Sequence, residues 1–107
     1  MPELPEVETT RRGIEPHVVG HCIRALLVHE PRLRWRVAAD LPARVAGQKI
    51  RAAGRRAKFL LLELERGTLL LHLGMSGNLR VVPADAPRGK HDHIDLVLDS
   101  GELLRFN

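Results

Sequence analysis

Apolar positions in this 107-residue chain follow one period for about twenty residues and another thereafter. From Pro5 to Val19, Val7, Ile14 and Val18 recur at helical spacing, which predicts a helix whose narrow apolar stripe must pack on a partner. Pro5 suits a first-turn position, Glu6 and Glu8 lie where the helix dipole favours anions, and Arg11 and Arg12 follow towards the other half. Pro16 is expected to weaken or bend the last turn, and Gly20 to end it. Such a helix holds residues 2 and 3 on a short extended lead at its start.

Strand patterns dominate afterwards. Cys22 to His29 reads as a strand, Pro31 to Trp35 as a loop or irregular strand, and Leu41 to Ala46 as a short helix closed by Gly47. Lys49 to Ala53, Ala57 to Glu65 and Thr68 to Gly74 follow as strands, the last two joined by a tight turn at Arg66-Gly67. Thr68 to Gly74 is apolar on both faces, which predicts a strand covered on both sides. Asn78 to Val82 is a strand, and residues 83–90 form a Pro/Asp/Gly loop. His93 to Asp99 alternates, with Ile94, Leu96 and Leu98 inward and His93, Asp95 and Asp99 outward. A turn at Asp99-Ser100-Gly101 leads into a last strand, Glu102 to Asn107. The expected fold is a single, mainly β domain: a β-sandwich or barrel with flanking helices, the N-terminal α-helix first among them. The last strand stops at Asn107 without cap or turn, so a chain truncated at that strand is expected, with a sheet edge left to be covered.

Charge narrows the partner. There are 17 Lys and Arg against 13 Asp and Glu, a net charge of +4, and all but Lys49, Lys58 and Lys90 of the basic residues are arginine. Arginine suits planar, bidentate recognition of phosphate. Arg32, Arg34 and Arg36 form one cluster, and Arg51, Arg55, Arg56 and Lys58 a second, so a polyanion such as nucleic acid is the expected partner. Trp35, Phe59 and Phe106 are the only aromatic residues besides histidine, too few for rows of rings stacking on a single strand. Cys22 is the sole cysteine, which excludes an internal disulfide and a cysteine-based zinc site within these residues. The acidic start and the lack of long apolar runs predict a cytoplasmic protein with no membrane association.

Chemistry is concentrated at the start, Met1-Pro2-Glu3-Leu4-Pro5-Glu6. A residue as small as proline in second place lets aminopeptidase remove Met1, leaving a secondary amine with a pKa of roughly 8, partly unprotonated near neutrality. Attack by that nitrogen on a sugar or carbonyl carbon gives an iminium ion that has no N–H proton to lose, and so remains an electron sink. Glu3 is the adjacent general acid/base.

Three segments carry one pattern with this start: Pro2-Glu3-Leu4-Pro5-Glu6-Val7-Glu8 with Arg11 to Ile14, then Gly54-Arg55-Arg56-Ala57-Lys58-Phe59-Leu60, then His72-Leu73-Gly74-Met75-Ser76-Gly77. Lys90-His91-Asp92-His93-Ile94-Asp95 is a fourth. In this order they resemble the N-terminal domain of the formamidopyrimidine-DNA glycosylase/endonuclease VIII family, across essentially the whole chain. Leu4 resembles the formamidopyrimidine branch; the endonuclease VIII branch usually has glycine there.

The resemblance implies a bacterial DNA repair glycosylase and AP lyase that excises oxidised purines (8-oxoguanine and formamidopyrimidines) from double-stranded DNA and also acts on abasic sites. Pro2 would attack C1′ of the flipped-out nucleotide as a Schiff-base nucleophile, and Glu3 would move protons, followed by β- and δ-elimination. Lys58 would clamp a phosphate beside the lesion, and His72 and His91 would donate to backbone phosphates. Met75, in a Gly-Met-Ser-Gly turn, would fill the space left by the extruded base. Glu6 is either a support for the same site or an acid that stabilises the first helical turn. The residues also have plainer readings: Lys58 as a solvated strand end, His72 as a satisfied core histidine, Met75 as a core methionine. The family's wedge Arg and Phe lie on a loop after the strand that ends here, so Arg105 and Phe106 are not those residues. Its helix–two-turn–helix module and four-cysteine zinc finger lie outside residues 1–107, which are therefore expected to be an incomplete N-terminal catalytic domain. No cofactor and no metal ligand is expected in it, and the fragment alone should be weak or inactive. A monomer is expected, with edge-strand association open to the fragment.

Two other classes compete. Small tautomerases also use an N-terminal proline, but there the proline begins a β-strand, whereas Leu4-Pro5-Glu6 leads into a helix. A non-catalytic DNA-binding module would make Pro2 irrelevant. A metal-dependent nuclease built on His91, His93 and Asp95, which share one face of an ideal strand, ranks below both.

Overall fold

A computed structural model describes residues 4–30, 32, 37–73 and 78–107. The expected Pro2, Glu3 and Met75 site residues, with the loop of residues 33–36, lie outside the described residues. Helix α1 (Leu4–Val18) is followed by β1 (Ile23–Val28), α2 (Leu41–Val45), β2 (Ile50–Arg56), β3 (Phe59–Leu64), β4 (Thr68–His72), β5 (Leu79–Pro83), β6 (Ile94–Leu98) and β7 (Glu102–Phe106). The strands make two antiparallel sheets, one ordered β1-β6-β7-β5 and the other β2-β3-β4. This is the expected sandwich with an N-terminal helix.

One core joins the two sheets and α1. Val7, Ile14 and Val18, seven and four residues apart, are the buried stripe of the helix, and they meet Ile23, Ile50, Leu60, Leu62 and Leu98 from the strands. The helix packs against β2, β3 and β5. Pro16 sits inside α1, which nonetheless runs to Val18, and the chain leaves it through Gly20 at φ +88°. There the Gly20 N–H donates to the Ile50 carbonyl (2.8 Å), so the end of the helix is fastened to the start of β2. A bridge between Cys22 and Lys49 links the starts of the two sheets at the same end of the molecule. No helix among the described residues is long and apolar enough to cross a membrane.

Three strand-level expectations are corrected. β4 is an edge strand, and its outward face is not covered: Leu70 is 59% exposed and His72 is also exposed. Continuous apolar sequence did not distinguish this edge from a central strand, because Leu69 and Leu73 are buried all the same. β7 is not a sheet edge but lies between β6 and β5, so the last strand has backbone partners on both sides. Asp95 does not face solvent. It is buried, because β6 lies inside its sheet and the connection from β5 to β6 folds over that face to meet it.

Candidate functional site

Lys58 lies in the two-residue turn between β2 and β3, half-buried at the end of the second basic cluster. Its neighbour Ala57 has φ +53°, a left-handed conformation that few residues other than glycine adopt. Pairing of Arg56 with Phe59 closes the turn. The next register pair along that end of the sheet is Phe59 with His72, whose rings are 4.9 Å apart and tilted by 60°. The hairpins thus bring two of the expected phosphate contacts, Lys58 and His72, to one end of one sheet, and both have interactions with other groups. Arg55 and Arg56 are exposed beside them, which concentrates positive charge at that rim.

Helix α1 meets the same rim through Glu8. Arg11 grips this carboxylate with two bonds (Nε to Oε1 2.9 Å, Nη2 to Oε2 2.8 Å), and Arg12 Nε donates to Oε2 at 2.8 Å. Both partners are on the helix, at the three- and four-residue spacings that place side chains on one face. Two further bonds leave the helix. Arg11 Nη1 donates to the Ala53 carbonyl on β2 (3.2 Å), and Arg55 Nε donates to Glu8 Oε1 (3.3 Å). The Arg55 guanidinium also donates through Nη1 to the Ala57 carbonyl (3.0 Å), the residue before Lys58. The hydrogen bond from Arg11, working against partial burial and aided by Arg12 and Arg55, lowers the Glu8 carboxyl to about 2. Glu8 is therefore an anion at any pH near neutrality. Glu6, two residues earlier, is exposed.

His91 is exposed in the connection between β5 and β6, in the other sheet, so its position is set by different braces. Arg105 on β7 is the central one. It donates to Asp95 (Nε to Oδ1 2.8 Å, Nη2 to Oδ2 3.2 Å) and to the carbonyls of Pro87 (3.1 Å) and Ala86 (3.3 Å) in that connection. His29 Nε2 lies 3.0 Å from Asp95 Oδ2. Asp92, beside His91, accepts from the Gly89 N–H and from Arg80 Nη2 (2.9 Å). A Cβ at Gly89 would stand 3.1 Å from Asp92 Oδ2, a tight contact that would ask the carboxylate to shift by a few tenths of an ångström. Burial pushes Asp95 upward, but Arg105 and His29 outweigh it and the carboxyl ends below its ordinary value. Asp92 is lowered as well, first by the Gly89 N–H. A polar hollow of about 250 Å³ opens here, lined by His29, Arg88, Lys90 and His93 among others.

This geometry lends the metal-nuclease alternative no support. Asp95 is buried and engaged by Arg105 and His29, and no group of three or more potential metal ligands occurs among the described residues. Helix α1 begins at Leu4, which also speaks against the tautomerase arrangement of a proline leading straight into a strand. Sequence reading missed Glu8, Arg55, Asp92, Asp95 and Arg105 as working parts. For Glu8 a signal was present in its spacing from Arg11 and Arg12; for the Asp95–Arg105 pair strand alternation pointed the wrong way.

Comparison with known proteins gives the family. The sequence profile of the formamidopyrimidine-DNA glycosylase N-terminal domain matches residues 1–107. A formamidopyrimidine-DNA glycosylase of Thioalkalivibrio sulfidiphilus is 63% identical over 107 residues, all of this chain and 40% of the relative. One from Stutzerimonas stutzeri is 58% identical over 106 residues, 99% of this chain and 39% of the relative. The chain thus spans about two-fifths of the length of these relatives. Among solved structures, the Lactococcus lactis formamidopyrimidine-DNA glycosylase bound non-covalently to DNA with an abasic site superposes with a TM-score of 0.88 at 37% identity, over 97% of this chain and 40% of that one. The same bacterium's enzyme in complex with DNA containing a formamidopyrimidine lesion gives 0.88 at 36% identity, over 97% and 39%. By sequence and by fold, the chain belongs to the formamidopyrimidine-DNA glycosylase family, whose N-terminal domain it matches from its first residue to its last.

Proposed function

We propose that this chain supplies the nucleophile and part of the phosphate clamp of a DNA glycosylase with AP lyase activity on oxidised purines in duplex DNA. The observation that carries the reading is the match of all 107 residues to the family, with the Pro2-Glu3 pair immediately before α1. With Met1 removed, the Pro2 nitrogen bonds to C1′ of the flipped nucleotide. The bond from C1′ to the base breaks, and its electron pair leaves with the base, which takes a proton. Opening of the sugar ring then leaves an iminium at C1′. Loss of a C2′ proton expels the 3′ phosphate, and a second elimination along the conjugated chain expels the 5′ phosphate. Glu3 carries protons between these steps.

Lys58 and His72, which lie at one rim, are assigned to backbone phosphates, and His91 to one from the other sheet. Lysine suits a phosphate that moves during flipping, because its charge sits at the end of a flexible stem. Met75 is assigned to the gap left in the stack. The DNA partner is supported by the Lactococcus lactis enzyme, whose complexes contain abasic or formamidopyrimidine DNA. Cys22 is the only cysteine, so these residues do not fit a four-cysteine zinc site, and no step here draws on zinc. Residues 1–107 alone should bind duplex DNA weakly and turn over little or no damaged base. Cleavage of an 8-oxoguanine duplex by intact, Met1-processed protein tests the reading. Abolition of cleavage by Pro2→Gly is expected, and undiminished cleavage by that variant would overturn it.

A further inference from the structure

We propose that Glu8 is a positioning residue, which through Arg55 sets the head of α1 against the turn that carries Lys58. The inference rests on the reading of Pro2 as nucleophile and names the device that aligns it with the phosphate clamp. Pro2 is two covalent links from Leu4, the first residue of α1, so wherever the helix head goes the nucleophile must follow within about 7–8 Å. Lys58 is on a different element, the β2–β3 turn. Attack at C1′ requires the nitrogen and the clamped phosphates to be correctly placed together, and a displacement of about 1 Å costs on the order of 100-fold in rate.

The Arg55 side chain spans that gap: it donates to Glu8 Oε1 on the helix (3.3 Å) and to the Ala57 carbonyl in the turn (3.0 Å). Arg11 grips both oxygens of the same carboxylate, sharing Oε1 with Arg55, and reaches the Ala53 carbonyl on β2 (3.2 Å), so Glu8 cannot swing away from Arg55 without leaving a second cross-element anchor. The turn at the far end is itself held in an uncommon conformation, with Ala57 at φ +53°. Strained backbone persists where surrounding contacts over-determine it, and the Arg55 bond is such a contact. Arg12 bonds to the same carboxylate but stays on the helix, 74% exposed, and among the described residues joins no second element.

The test is single-turnover borohydride trapping of intact, Met1-processed protein on a duplex with a preformed abasic site, with the rate expressed per folded molecule and DNA affinity measured alongside. Glu8→Ala and Arg55→Met are each expected to slow trapping roughly 10- to 100-fold while changing the Kd for the abasic duplex much less, because alignment and not binding is lost. The double variant should be no slower than the slower single one, since both act through one link. Arg12→Ala should trap at the parent rate. If Glu8→Ala traps within about twofold of the parent, or if the two substitutions multiply, the positioning role is overturned while the glycosylase reading stands. If the parent itself gives no adduct, the glycosylase reading falls and the inference with it.

Discussion

Replacing Arg105 with methionine probes the brace behind His91. Methionine keeps the length of the stem but removes five donors, in a side chain that is 3% exposed. Asp95 would lose both bonds to the guanidinium and keep only His29; Asp92 would lose the charge 3.8 Å away but keep Arg80 and the Gly89 N–H. The carbonyls of Ala86 and Pro87 would lose these donors as well. Removing one partner of a buried pair leaves an uncompensated charge and costs about 3–5 kcal/mol. A domain of this size has roughly 5–15 kcal/mol in total, so the variant should approach the edge of folding. Urea unfolding followed by circular dichroism, with thermal melting beside it, measures the loss; the melting temperature should fall by roughly 15–30 °C. Adding Asp95→Leu should restore part of it, because a well-packed apolar pair can replace a buried ion pair at little cost. A loss below about 1 kcal/mol for Arg105→Met would refute the reasoning, since exposed pairs are worth no more than that.

Three other outcomes are expected. Asp92 and Asp95 are lowered in the folded protein, so their stabilisation is complete above the ordinary aspartate value near 4 and is lost as pH falls through their folded values. Melting temperature against pH should therefore drop steeply on the acid side, and Asp95→Asn should flatten part of that slope. Lys58→Ala should weaken binding to lesion duplexes of any sequence and reduce the slope of log affinity against log salt by about one, read by fluorescence anisotropy; an unchanged slope would place Lys58 away from the phosphates. Ala57→Gly should gain up to about 1 kcal/mol in chemical denaturation, because glycine removes the left-handed penalty and loses part of that gain to unfolded-state entropy. A loss larger than that would mean the alanine methyl is needed where it stands.

The parts of the molecule legible in the sequence are those with local causes. Val7, Ile14 and Val18 defined the helix because a helix repeats its buried face, and turn residues such as Gly67 and Gly101, both at positive φ, separated the strands. Which strands neighbour one another was not legible, since pairing is decided between residues distant in sequence. That is why β7 was expected at an edge when it lies inside a sheet, and why β4 was expected under cover when Leu70 faces out. Asp95 failed for the same reason: alternation gives the two faces of a strand but does not say that a later loop will fold over the polar one. Within the candidate site, Lys58 and His72 are expected from their motifs, whereas their location at the same rim depends on the register that pairs Phe59 with His72. The link from Glu8 through Arg55 to Ala57 spans 49 positions of sequence and is visible only in the folded chain.

Mass mapping of the covalent adduct formed under borohydride between intact, Met1-processed protein and an abasic duplex tests the central claim most directly. The sugar should be attached to the nitrogen of Pro2 in the N-terminal peptide. No adduct, or one attached to a lysine such as Lys58, would contradict it.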